Sequence, residues 1–342
     1  MRGLRFLALS LLCALPVAPA FAGSTPAKKP DVARNQALIA FQRDLVSVLA
    51  PRADAMPLLG AALLARPLPN QPKYNDFHTL IDRASQADDS GPEVSWVRLS
   101  DCDEQADTCP NQEAMAKLTE QAPDNAAVWL LKLGQDVRND KKKLAREELA
   151  KAAAAKLYDD YTGASLKALA STVSALPPPA DTIDPASAAG ASGVQAMIVY
   201  SVAGTLPQSG LQATAKLCES DSDDPTLKDD CLKLGKTLEW GSSPLARSLG
   251  LHLREVLSSD AEQQEDAKRA RRSLIWQVQN FAQLSTRAAS DKATAQHLLA
   301  LARSGGTEMS MVLAALRDYS ISVDPPTDWQ PQSAQAKEAH GK

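Results

Sequence analysis

The stretch CPNQEAMAKLTEQAPDNAAVWLLKLGQD, Cys109–Asp136, carries two apolar stripes of helical period with a turn between them. Pro110 suits a helix start, where its missing N–H is one of the unbonded donors anyway. Met115 and Leu118 then fall on one face, and the Ala-Pro-Asp-Asn run ends the pattern at Pro123. Trp129, Leu130 and Leu133 line the next stripe, which stops near Arg138-Asn139-Asp140. Lys141 to Ala155 follows as a third helix, rich in alanine, the best helix former. Its small residues Ala145 and Ala152 leave room for a neighbouring helix, with Leu149 filling between them. Three short helices in succession, joined by tight turns, predict an all-α fold of stacked antiparallel helical hairpins.

The same period extends in both directions. Leu38, Phe41, Leu45, Val48 and Leu49 form a stripe that Pro51 ends. AMPLLGAALLAR, YNDFHTLIDRASQA and PEVSWVRLS read as three further helices, the last opening on Pro92. Downstream come Val194–Val202, Leu211–Cys218, and a helix that Asp224 caps and Pro225 opens. SPLARSLGLHLREVL, a long helix from Glu262 to Ala289, and two shorter ones ending near Val323 complete the pattern. Only MIVYSV, 197–202, is rich in β-branched residues; without a partner segment it is read as helix. Between the halves, SALPPPADTIDPASAAGASG, 174–193, has Pro177, Pro178, Pro179 and Pro185 and the composition of a linker. The expected layout is therefore a helical domain at 23–173, a linker at 174–193, a second helical domain at 194–323 and a mobile tail at 324–342.

The first 22 residues read as a cleaved signal peptide. Arg2 and Arg5 precede the apolar run FLALSLLCALPVAPAFA, and Ala20-Phe21-Ala22 gives the small-x-small cleavage pattern. Pro16 and Pro19 interrupt the run short of a membrane span, which takes about 20 apolar residues. The mature chain is thus expected to be periplasmic or secreted and to lack a transmembrane segment. Taking those two arginines from 37 basic residues leaves 35 against 41 acidic ones, a formal charge of −6. That balance argues against nucleic acid as a partner. Cys102, Cys109, Cys218 and Cys231 then form an even set, which in an exported chain predicts disulfides. Proximity favours Cys102–Cys109 and Cys218–Cys231. Gaps of six and twelve residues do not suit zinc, whose paired cysteines usually stand two to four residues apart.

PDNAAVWLLKL followed by LAREELAKAAA resembles a tetratricopeptide-like helical repeat. Pro123, Asp124, Asn125, Trp129, Ala145, Leu149 and Ala152 match that family's spacing. The chain departs from it at Leu133–Gly134, one place later than the family's Leu-Gly pair. It also has Asp136 in place of a tyrosine and Asp140 at a turn position that is usually glycine. The match covers one partial repeat, residues 123–157. The resemblance implies a concave surface that binds peptides or partner proteins.

Catalytic signatures are missing: the sequence has no G-x-S-x-G, S-x-x-K or H-E-x-x-H pattern and no glycine-rich phosphate loop. No cofactor or metal is expected. His78 stands four residues before Asp82, and His252 three before Glu255; both read as packed or surface histidines. ESDSDD, 219–224, lacks the mid-loop glycine and closing glutamate of a calcium loop and reads as a cap and turn. KRARR, Lys268–Arg272, follows acidic residues by one turn and reads as a solvated helix flank, with Glu265 reaching Arg269. Tyr158, Asp159, Asp160 and Tyr161 are the candidate lining of a sugar or peptide groove. The expectation is an exported helical protein that binds a protein or peptide partner in the cell envelope without catalysis. Two alternatives stand beside it: an envelope enzyme using an Asp/Glu pair on glycans, and a structural or regulatory protein with no pocket.

Overall fold

The computed structural model describes residues 29–100, 112–207, 210–220 and 224–331. Among them the chain forms fifteen α-helices and no strand. The first four are α1 (Lys29–Leu49), α2 (Ala55–Ala65), α3 (Phe77–Gln86) and α4 (Pro92–Ser100). The middle four are α5 (Gln112–Gln121), α6 (Ala126–Arg138), α7 (Lys142–Ala154) and α8 (Thr162–Thr172). Next come α9 (Gly190–Ala203), α10 (Leu211–Ser220), α11 (Pro225–Glu239) and α12 (Pro244–Leu257). The last three are α13 (Ala261–Ala288), α14 (Lys292–Ser304) and α15 (Glu308–Asp318). The all-α array read from the periodicity is the observed fold. The segment read as a signal peptide, Cys102 and Cys109 lie outside the described residues.

Six of the starts are capped locally. Side chains of Asp76, Asn125, Asp224, Asp260, Asp291 and Thr307 accept N–H groups at the heads of α3, α6, α11, α13, α14 and α15. Asp224 takes two, from Thr226 and Leu227, directly before Pro225. α2 is buried all round from Leu58 to Ala65, as an apolar helix without a polar face must be. On α1 the stripe lies slightly off its predicted line: Phe41, Leu45, Val46 and Leu49 are buried, while Val48 is 43% exposed. The core it meets is centred nearer the Val46 side of the helix.

Cys218 on α10 and Cys231 on α11 form the predicted disulfide, S–S 1.98 Å, and both are buried. A closed loop of this size is worth about 2–3 kcal/mol by chain entropy. α11 and α12 then cross closely: a Cβ on Gly250 would sit 2.6 Å from the Gly235 carbonyl oxygen.

The segment expected as a linker keeps out of α-helix up to Ala189, as its prolines require. It is nevertheless packed. Thr182 is buried, Asp184 pairs with Arg34 at 3.4 Å, and Ser187 donates to the Ala289 carbonyl at 2.7 Å. The hydrophobic core runs past it without a break, one cluster reaching from Phe41 to Ala315. The expected tail also differs from its reading: residues 324–331 lie against α13, for reasons given below.

Candidate functional sites

Two polar constructions stand out from the array. The first is built on the α7–α8 connection, residues 155–161, where YDDY lies. It begins at Asn125, the last residue of the Pro-Asp-Asn turn, which is buried. The Asn125 carboxamide oxygen accepts from the N–H groups of Ala127 and Asp159, and its nitrogen donates to the Asp159 carbonyl and the Tyr161 hydroxyl. The neighbouring Asp124 carbonyl accepts from Lys156 and Leu157, and the Ala126 N–H donates back to the Leu157 carbonyl. One side chain thus caps α6 and holds the next connection against it. Tyr161 closes that connection at φ 55°, in the left-handed region, which costs a residue with a side chain about 1–3 kcal/mol.

Two more connections converge there. Ser242, between α11 and α12, donates its N–H to the Tyr158 carbonyl and accepts the Met309 N–H on its own carbonyl. Its hydroxyl accepts from the Asp160 N–H and donates to the Asp160 carboxylate, whose same oxygen accepts from Thr162. The 305–307 connection closes the other side: a Cβ on Gly163 would sit 1.8 Å from the Gly306 carbonyl oxygen. Tyr158 and Asp160 are only 3% and 2% exposed, so they do not line an open groove. Asp159 and Tyr161, half-buried, are the rim of a closed junction.

The junction is strongly acidic. Burial, with Asp160, Asp159 and Glu308 adding like charge, pushes the Tyr158 phenol well up. Burial also raises Asp159 and, with Asp160 beside it, lifts Glu308 to about 7. Tyr161 rises to about 12, again by burial. Desolvation penalises the charged form and no opposite charge offsets it. Tyr158 Oη and Asp160 Oδ2 find no hydrogen-bond partner among the described residues. Those residues also hold no group of three or more ligands placed to bind a metal ion. Glu308, sequence-distant from YDDY, carries no motif that would have marked it.

The second construction is the outer face of α13, where KRARR lies. Lys268 and Arg269 pair with Glu265 and Asp266 at i, i+3, in place of the expected Glu265–Arg269 contact. Arg271 reaches Glu255 on α12 at 2.9 Å. Arg272 turns to the C-terminal segment. Its Nη2 donates to the carbonyls of Pro326, Thr327 and Trp329 at 2.6, 3.0 and 2.6 Å, and its Nε to Trp329 at 3.1 Å. One turn along, Trp276 Nε1 donates to the Ser322 carbonyl and Gln277 to that of Val323, at 2.8 and 3.0 Å. Ser273 donates to the Asp324 carboxylate. The Trp329 ring stands edge-on to Trp276, centroids 5.4 Å apart, with the Arg272 guanidinium 5.7 Å from it. A turn closed by the Trp329 N–H on the Pro326 carbonyl gathers three acceptors around one guanidinium fork. Prolines 325 and 326 explain why the chain stays irregular there.

The remaining marked residues serve the fold. Trp129 is half-buried rather than central: its Nε1 bonds the Pro123 carbonyl, and the ammonium groups of Lys132 and Lys151 lie 5.4 and 4.9 Å from its ring. Both lysines also pair with buried Glu148 at 3.2 Å. His252 is buried against Glu219 at 2.9 Å, and Asp224 pairs with Arg146. His78 is exposed beside Phe77, while Asp82 takes Arg98 instead. Trp240, between α11 and Ser242, is 76% exposed, which no periodicity reading could foresee. No helix of the described residues is long and apolar enough to cross a membrane. No protein-family model matches the chain, and comparison with curated proteins and with solved structures returns no match.

Proposed function

We propose that this chain is an exported helical protein of the cell envelope that binds a protein or peptide partner and carries no catalysis of its own. One observation carries the reading. α13 grips a non-helical stretch of polypeptide through five main-chain carbonyls, those of residues 322, 323, 326, 327 and 329. Bonds to carbonyls depend little on side-chain identity, so a surface built to make them can hold peptide. Export rests on the leader-like residues 1–22. The tetratricopeptide-like spacing of 123–157 points the same way, since hairpin arrays of that kind present peptide-binding faces.

A photo-reactive group placed at Arg269, beside the grip, tests this in envelope extract against the same group at His78 on α3. A discrete cross-linked protein from position 269 alone is the expected result. No adduct, or the same adducts from both positions, would remove the basis of the reading.

A second reading draws on Glu308 and Asp160 as the carboxyl pair of a glycan-processing enzyme, with Glu308 near 7 suited to act as a general acid. Against it, Asp160 is buried and its Oδ1 is already occupied by Ser242 and Thr162. Turnover of cell-wall glycan that disappears in Glu308→Gln would favour this alternative.

A further inference from the structure

The segment lying on α13 is joined to the fold in a way that separates its anchorage from its grip. Ser320 takes φ 55° and the Ile321 N–H returns to the Leu316 carbonyl at 2.8 Å, which ends α15. Ile321 packs against both apolar clusters. Everything that follows is held from outside. Ser322, Val323, Asp324, Pro326 to Asp328 and Gln330 are exposed, and Pro325, Trp329 and Pro331 are half-buried. Release of 322–331 therefore unpicks no helix and uncovers little apolar surface. It would leave the Arg272 fork, the Trp276 ring and the Gln277 carboxamide without their occupant.

We infer that this face of α13 is an exchangeable docking site, closed in cis by residues 322–331. The partner it fits is another protein's proline-containing segment with a tryptophan three residues after the second proline. This rests on the peptide-binding reading above and names its partner class and its regulation. Each part of the bound segment contributes a term to that specification. The proline pair keeps the chain out of helix and presents carbonyls without competing N–H donors. The turn from Pro326 to Trp329 brings three of those carbonyls to one guanidinium. The indole then fills the corner between Trp276 and Arg272. Asp324 adds one side-chain bond, accepting from the Ser273 hydroxyl. Being tethered, the cis segment competes at an effective concentration on the order of millimolar. A free segment of equal chemistry is thereby excluded until it outbids the tether or the strap is weakened.

The test uses the full chain and a fluorescein-labelled peptide of sequence SVDPPTDWQP, followed by anisotropy. The Trp329→Ala chain, whose strap has lost its anchor, is expected to bind the probe about tenfold more tightly than wild type. Adding Arg272→Ala to that chain should abolish the gain, and so should alanine for tryptophan in the probe. If the double variant loses its far-ultraviolet helix signal, Arg272→Lys takes its place, since it keeps the charge and loses the fork. Equal affinity for wild type and Trp329→Ala, or binding that survives loss of the fork, would overturn the inference. A scrambled probe that binds as well would overturn the partner class while leaving a peptide-binding face. A concentration-dependent dimer, absent in Trp329→Ala, would make a second copy the occupant and likewise overturn it. Absence of both probe binding and the position-269 cross-link would take the broader reading down too.

Discussion

The 155–161 junction and the strap on α13 use the same acceptor chemistry, carboxylate and carbonyl oxygen, in opposite surroundings. At the junction three connections are pressed together, a Cβ on Gly163 has no room, and the charges acting on Tyr158 and Glu308 are all negative. On α13 the acceptors meet cations and indole N–H at a half-open surface. Desolvation makes the first costly to alter and sensitive to protons. Solvent makes the second cheap to break and sensitive to competition. A polar cluster's burial, more than its composition, decides whether it serves to hold the fold or to exchange a partner.

That contrast can be broken first at Gly163. Replacing it with alanine drives a methyl group into the Gly306 backbone and should cost about 3 kcal/mol in chemical denaturation, the upper end for overpacking. A loss under about 1 kcal/mol would show the junction to be plastic, and the contrast with the strap would fail.

Glu308→Gln tests the electrostatic half. The folded carboxyl is raised from 4.5 to about 7, so the folded chain holds a proton that the unfolded chain has already released. Stability is then full below about pH 4.5 and falls as pH rises through about 7. Asp159, also raised, adds in the same direction. Glu308→Gln should be neutral at pH 4 and stabilise by about 1–2 kcal/mol at pH 8, the full shift being discounted for partial exposure. A pH-independent difference between the two chains would mean that Glu308 carries no such burden.

Smaller effects belong to the strap. Arg272→Ala should change global stability by less than about 1 kcal/mol while chymotryptic cleavage at Trp329 becomes much faster. Global unfolding that moves with cleavage would show the strap to be part of the core. Lys268→Ala, which removes an exposed pair with Glu265, should leave the denaturation midpoint unchanged, since solvent screens such a pair. A measurable change would mean that the flank is as tightly organised as the junction.

Much of the architecture was legible because helix signals are local. Pro92 and Pro225 mark starts, Asp224 caps, and the apolar run Leu58–Ala65 announces a helix buried on every side. Cys218–Cys231 was legible too, since they stand only thirteen positions apart, across one loop. The site was less so. YDDY was visible as a cluster, but a groove was expected and a closed junction is found. Closure depends on Ser242 and Glu308, which are remote in sequence and carry no pattern. KRARR was visible as charge; its partners, Pro326 to Trp329, lie more than fifty residues on.

What the amino-acid order determined by itself was therefore the helices, their ends and one sulphur bridge, each set by interactions within a few turns of chain. Only the tertiary structure decided which oxygens are stripped of water and which stay within its reach. That depends on long-range packing, because burial is a property of what else arrives at the same place.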